Sequence, residues 1–248
     1  GISNYEELVT ENYYYVDKTK YIEKLEELPE KRIMFLRPRK FGKTLFTSVL
    51  ENYYDKNKKE SFEKLYGNTY IGKNPTKLKN SYCILRFNFS GIDTSTEEAT
   101  IRGFKKEVAS SIEVFINRYN LEFHVNKEDE AENILDNLFK SFYIQKPQDK
   151  IYVIIDEYDH FANELLGFFP EQFKALVSKN GKVRKWYEIL KKGTETVVDR
   201  IFITGVAPIT LDSLTSGFNI GKDISQDVRF NEMMGFTREE LVQILNNE

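Results

Sequence analysis

The sequence predicts an α/β domain on a mostly parallel sheet with helices on both faces, and three observations point there. Short apolar runs alternate with longer segments of helical period. One run, Ile151 to Ile155, is continuously apolar and rich in branched residues, as expected of a central strand covered on both sides. The 248 residues, 40% apolar and 14% aromatic, suffice for one large core, and no internal repeat or Gly/Ser- or Pro-rich linker divides them.

Arg32 to Leu36 is a short apolar run that stops at Arg37-Pro38, a strand followed by a loop. From Thr44, the residues Leu45, Phe46, Val49, Leu50, Tyr53 and Tyr54 recur with helical period. Tyr82 to Phe89 reads as a second strand, closed by Ser90-Gly91. Two amphipathic helices follow, one carrying Phe104, Val108, Ile112, Phe115, Ile116 and Tyr119, the other Ile134, Leu135, Leu138, Phe139 and Phe142. After the Ile151 strand, helices interrupted near Gly167 and Asn180-Gly181 are expected up to about Val198. Arg200 to Thr204 gives a fourth strand ending at Gly205, and a weaker fifth falls within Phe218 to Ser225. Thr237-Arg238-Glu239-Glu240 is a capping box, with Phe236 and Leu241 placed as its hydrophobic staple. It starts a helix at Arg238 that is expected to run to the end of the chain.

Thirty-six Lys plus Arg against 39 Asp plus Glu leave a formal charge of −3, which lends nucleic-acid binding no support. The basic runs Lys56 to Lys59 and Lys73 to Lys79 read as solvated loops or as a weak phosphate-contacting edge. The apolar run at Ile151 falls far below the roughly 18 residues of a membrane span. Residues 1–30 carry charges throughout where a signal peptide would be apolar. A single cysteine excludes a disulfide framework, and His124 and His160 leave little for zinc. Cys83 reads as a small core residue and His160 as a polar position at a helix start. The expected address is the cytoplasm.

Chemistry concentrates in two places. Arg37-Pro38-Arg39-Lys40-Phe41-Gly42-Lys43-Thr44, between a strand and a helix, matches the phosphate-binding loop G-x-x-x-x-G-K-[ST] at three of four specified positions. At Gly42 the backbone must approach phosphate oxygens, and successive N–H groups and the helix N-terminus supply positive charge. Lys43 can neutralise the β- and γ-phosphates, and the Thr44 hydroxyl can ligate Mg²⁺. Arg37 stands where the first glycine of the motif belongs, which leaves the loop's turn open. The second place is Ile151 to Glu157, a strand that delivers Asp156 and Glu157 at its C-terminal end. In a parallel sheet that end lies at the edge of Gly42, Lys43 and Thr44. Asp156 would hold Mg²⁺, directly or through water, and Glu157 would activate the water that attacks the γ-phosphate.

These two motifs join Tyr13-Tyr14-Tyr15-Val16-Asp17-Lys18-Thr19, Phe202-Ile203-Thr204-Gly205-Val206 and Gly235-Phe236-Thr237 in an order that resembles the predicted AAA-ATPase family of bacteria and archaea. Its members are often fused to a C-terminal PD-(D/E)XK nuclease-like domain. The resemblance implies a P-loop NTPase three-layer sandwich of the additional-strand class with sheet order 5-1-4-3-2. It implies ATP and Mg²⁺ as cofactors, and Arg37 and Phe41 look usual within it. Val16, Asp17 and Lys18 match the segment beside the adenine, although Asp17 reads equally well as a helix N-cap. Arg39, Lys40, Phe41, Gly42, Lys43, Thr44 and Leu45 would line the nucleotide, with Thr44 and Asp156 on the metal. Thr204 fits a polar sensor of the γ-phosphate, and Arg229 a sensor arginine or a structural ion pair. Arg200 begins a strand, at the edge opposite the phosphates, and is excluded as a cis finger. The tyrosines at 13–15 could stack on adenine or form a helix-packing cluster.

Residues 1–235 are thus expected to form the ATPase core and 236–248 the start of a helical lid. No Asp or Glu has Lys two positions later, so the nuclease signature is absent. The chain is expected to be a fragment, or to belong to a protein that dispensed with that domain, and the resemblance leaves room for a homo-oligomer. The expected activity is Mg²⁺-dependent ATP binding and hydrolysis. Two alternatives use the same pocket. One is a module that holds ATP or ADP without turnover as a switch or scaffold. The other is a small-molecule phosphotransferase in which Glu157 or Asp159 accepts a substrate proton.

Overall fold

The computed structural model describes residues 1–160, 171, 181–206 and 221–247. Five parallel strands form one sheet: β1 (Arg32–Leu36), β2 (Cys83–Asn88), β3 (Ile151–Asp156), β4 (Val198–Gly205) and β5 (Lys222–Asp223). Their spatial order is β2-β3-β4-β1-β5, the expected order read from the other side. The strand inserted between β1 and β3 is β4, so the loop strand and the Asp156 strand are not neighbours.

Period-two alternation sorts the strand side chains into two cores. Met34, Leu36, Leu85, Phe87, Val153, Ile155, Ile201 and Ile203 pack on one face, against α6 (Glu97–Tyr119), α7 (Ala131–Gln145) and α8 (Lys182–Gly193). Ile33, Phe35, Ile84, Ile154 and Phe202 pack on the other. That face is covered by α1 (Tyr5–Thr10), α2 (Lys20–Glu27), α3 (Lys43–Tyr54), α4 (Phe62–Tyr66) and α5 (Tyr70–Lys73). The result is the expected three-layer sandwich. By the same alternation Arg86, Asp156 and Thr204 belong to the α3 side of the sheet.

The elements depart from expectation in a few places. β4 begins at Val198 rather than Arg200, because its register with β3 shifts after Ile151 and leaves Asp199 as an extra residue. The short helices between Tyr54 and Tyr82, including a 3₁₀ turn at Lys56–Ser61, carry too few residues for a readable period. Within the basic runs, Lys56 pairs with Asp149, Lys58 with Glu6, and Lys79 lies over the Phe62 ring. The interruption near Gly167 lies outside the described residues, as do Asn180 and Phe218, while Gly181 caps α8. Cys83 is buried, and burial pushes its thiol up to about 12, as suits a core residue.

The final helix, α9 (Arg238–Asn246), has the expected capping box, with Glu240 N–H donating to Thr237 Oγ1 at 3.1 Å and Thr237 N–H to Glu240 Oε2 at 2.8 Å. Its staple partners remain open to solvent, Phe236 at 61% and Leu241 at 46%. No described helix is long and apolar enough to cross a membrane.

Candidate active site

The loop leaves β1 while still tied to both neighbouring strands. Leu36 N–H donates to Ser225 Oγ at 2.8 Å and Arg37 N–H to Gly205 O at 3.0 Å. The Arg37 guanidinium donates to Leu36 O at 2.9 Å and Ser225 O at 2.8 Å, and lies 4.1 Å from the Phe35 ring centroid. Burial lowers its pKa, with Asp223 opposing. Arg37 therefore anchors the loop to the exit of β5. The turn is made further on, where Lys40 and Gly42 take left-handed backbone angles, φ 66° and 77°. That resolves the missing first glycine, since no left-handed angle is required at Arg37.

A Cβ at Gly42 would meet no protein atom within 4 Å, so inside the protein only the positive φ restricts this position. Gly42 is the N-cap of α3 and supplies no side chain to its first turn. Among the described residues, no backbone N–H from Arg39 to Leu45 has an acceptor. The alternation of left-handed and ordinary angles gathers these groups into a concavity at a helix N-terminus, a geometry suited to an anion.

Lys43 is only 4% exposed, and its ammonium donates to the carbonyls of Arg37 and Pro38 at 2.9 Å each. Burial lowers its pKa, while Glu157, Asp156 and Asp159 act in opposition. The loop lysine and the carboxylates after β3 thus form one electrostatic group. Asp156 is fully buried, and neither of its carboxylate oxygens has a hydrogen-bond partner. Among the described residues its nearest cation is Arg86 of β2, with Nη2 3.6 Å from Oδ2. Glu157 is half-buried and adopts φ 52°, an unusual angle for a side chain with a Cβ. Burial raises its carboxyl pKa, Lys43 opposes, and Asp156 and Asp159 add to the rise.

Asp159, buried, accepts from Val206 N–H at 3.0 Å. This explains the glycine at 205: a Cβ there would stand 2.6 Å from the Tyr158 ring and closer still to Asp159 Oδ1. Thr204 is buried as well, and its hydroxyl donates to the carbonyl of its register partner Phe35 at 2.7 Å.

Other expected site residues have partners elsewhere. Asp17 accepts from Thr19 N–H and Tyr70 N–H, both at 2.8 Å, so its carboxylate organises the starts of α2 and α5. Lys18 is buried and donates to Glu232 O at 2.8 Å and to both carboxylate oxygens of Glu240, joining the N-terminal segment to α9. Val16 and Leu45 are half-buried, and Arg39, Lys40 and Phe41 are exposed on the loop. The Phe41 ring lies against Gly235, where a Cβ would be 3.0 Å away. Tyr15 packs edge-on against Tyr5, while Tyr13 and Tyr14 are exposed. Arg229, its side chain 58% exposed, is held by Asp227 at 2.6 Å. The carboxylates of Glu30 and Glu27 also act on it, and these precede β1, at the edge away from the loop.

Sequence reasoning missed Arg86 and the structural role of Asp159. A signal for Arg86 was present: a charged residue inside the otherwise apolar Cys83–Phe87 run requires a buried partner.

The donor set fits a hydrated Mg²⁺ that takes part of its coordination from phosphate. It comprises one buried carboxylate, Asp156, and the Thr44 hydroxyl, which makes no hydrogen bond among the described residues. No cluster of three or more His, Cys, Asp or Glu side chains suited to a metal occurs among the described residues.

Fold, loop and acidic strand end together define a P-loop NTPase-like domain of the additional-strand kind. The family model for Predicted AAA-ATPase matches residues 1–215, and the chain belongs to that family. It is also similar to an "Uncharacterized protein in vnfD 5'region" of Azotobacter chroococcum mcd 1, 25% identical over 232 residues. That match covers 93% of this chain and 41% of the relative, so the chain spans about two fifths of that protein's length. No solved structure matches.

Proposed function

We propose that this domain binds ATP with Mg²⁺ and hydrolyses it to ADP and phosphate. The observation that carries the reading is the Asp156 carboxylate, fully buried with neither oxygen hydrogen-bonded, in one electrostatic group with Lys43 of a loop whose N–H groups lack acceptors. Burial of such a group is costly unless something compensates it. Lys43 would exchange its two carbonyl partners for β- and γ-phosphate oxygens, and the backbone N–H groups from Arg39 to Thr44 would hold the remainder. Bound Mg²⁺ supplies further charge neutralisation, and Thr44 and Asp156 would hold it. Glu157 orients a water and takes its proton at a carboxylate oxygen as that water attacks the γ-phosphorus. Its raised pKa makes it a stronger base than an exposed glutamate.

Residues 1–235 act in this reading as the core and α9 as the start of a lid, supported by the Lys18–Glu240 pair and the Phe41–Gly235 contact. A C-terminal nuclease-like domain and self-association rest on the family resemblance alone, and a cytoplasmic address rests on the single cysteine. A second reading, ATP or ADP binding without turnover as a switch or scaffold, is favoured by the Thr204 hydroxyl and the Arg229 guanidinium, which donate to Phe35 O and to the Asp227 carboxylate.

Phosphate release and nucleotide affinity of the wild type beside Lys43→Ala and Glu157→Gln test both readings. Hydrolysis is supported if Glu157→Gln binds ATP with slowed turnover. Equal, negligible turnover with tight binding in both the wild type and Glu157→Gln supports the switch. Unchanged ATP affinity in Lys43→Ala removes the loop assignment.

A further inference from the structure

Arg86 is the charged residue of an otherwise buried apolar strand segment, and its guanidinium faces three groups. Nη1 donates to Glu51 Oε2 at 2.8 Å, and Nη2 donates to Thr47 Oγ1 at 2.7 Å. Nη2 also lies 3.6 Å from Asp156 Oδ2, beyond hydrogen-bonding distance. Thr47 passes the connection on, its hydroxyl donating to Thr44 O at 2.8 Å. Glu51 is fixed from its far side by Arg118, Nη1 to Oε1 at 2.9 Å. Burial would raise the Glu51 carboxyl, but Arg86 and Arg118 outweigh it and hold it below the usual range.

Two features of this geometry exceed what a stabilising ion pair needs. The Glu51 pair would be satisfied by one edge of the guanidinium, yet the other edge reaches along α3 to the turn that begins at Thr44. And Arg86 offsets the charge of Asp156 without occupying the lone pairs of its oxygens.

We propose that Arg86 is a positioning residue that, through Thr47, sets the placement of Thr44 relative to Asp156 and so prepares that pair for a divalent cation. The proposal rests on the nucleotide and Mg²⁺ reading above. Outer partners that orient metal-binding groups matter about 10- to 100-fold in metal affinity.

The test is the affinity of this chain for a fluorescent ATP analogue, with Mg²⁺ and with the metal chelated, beside direct Mn²⁺ binding followed by electron paramagnetic resonance. Arg86→Lys keeps the charge but cannot span Thr47 and Glu51 together. Thr47→Val keeps every charge and removes the hydroxyl relay. Each is expected to cut the metal-dependent gain in affinity about 10-fold, with metal-free affinity within about twofold of wild type. The double variant should be no worse than the more impaired single one, because both break one connection.

A metal-dependent gain that survives in Thr47→Val overturns the proposal, even if Arg86→Lys fails to fold. A loss of equal size with and without metal also overturns it, since the damage would then be to the loop in general. A wild type that binds the analogue without any metal-dependent gain removes the Mg²⁺ reading itself. That outcome is distinct from variants that merely match a metal-responsive wild type.

Discussion

Two aspartates on the same sheet have opposite surroundings. Asp156 ends β3 at the carboxyl edge, and neither of its oxygens has a hydrogen bond. Asp199, near the start of β4 at the amino edge, has both oxygens engaged, one by Lys31 Nζ at 3.0 Å and the other by the Tyr82 hydroxyl. Burial would raise the Asp199 pKa, yet Tyr82, Lys31 and Arg200 hold it below the usual range. Around it the amino edge is packed with aromatic rings, with Tyr54, Tyr82 and Tyr152 in mutual contact and Tyr54 bonded to Glu26. The same parallel sheet thus engages both oxygens of the aspartate at its amino edge and neither oxygen of Asp156 at its carboxyl edge. An unsatisfied buried carboxylate costs stability, and this cost at Asp156 is what the proposed ligand would offset.

Glu157→Gln should break this contrast most sharply. Phosphate release is expected to fall on the order of 10²- to 10⁴-fold, the usual contribution of a general base, with ATP affinity retained. Lys43→Ala should cost about 10- to 100-fold in ATP affinity, as expected for a lost charge-assisted contact, read by equilibrium titration. Its unfolding midpoint should not drop, because burial already disfavours this ammonium.

Gly205→Ala probes the rigidity of the carboxyl edge. The added Cβ meets the Tyr158 ring at 2.6 Å, and overpacking of this kind costs about 1 to 3 kcal/mol, measurable by urea unfolding. The smallest effect belongs to the amino edge. Asp199 has a depressed folded-state pKa, so its stabilisation is present above the unfolded carboxylate value and is lost as the pH falls through the folded one. Stability should therefore decline below about pH 4. Asp199→Asn should flatten that decline without changing ATP affinity. Carboxyl-edge charges would then govern binding and turnover, and amino-edge charges stability.

Much of the site was legible because its residues are local. Phe41-Gly42-Lys43-Thr44 and Asp156-Glu157 are contiguous, and the direction of a parallel strand brings both to one edge. Arg86 stands out in sequence only as a charge within an apolar run, and its partners were hidden because they lie on a different element, Thr47 being 39 residues away. The Lys18–Glu240 pair spans 222 residues, and the Thr204–Phe35 bond depends on β4 lying beside β1. Asp17 was ambiguous in sequence because a short acidic side chain serves equally at a helix start or beside a ligand, and here it binds the N–H groups of Thr19 and Tyr70.

The sequence by itself determined the alternation of strands and helices, the loop at Gly42 and the acidic end of β3, since each depends on residues close together in the chain. Tertiary structure alone decided which polar groups find partners. Packing between distant elements satisfied Asp199, Thr204 and Lys18, and left the Asp156 oxygens without a hydrogen bond. Hydrogen bonding is set by distances of about 3 Å between elements, and the periodicity of a chain does not encode those distances.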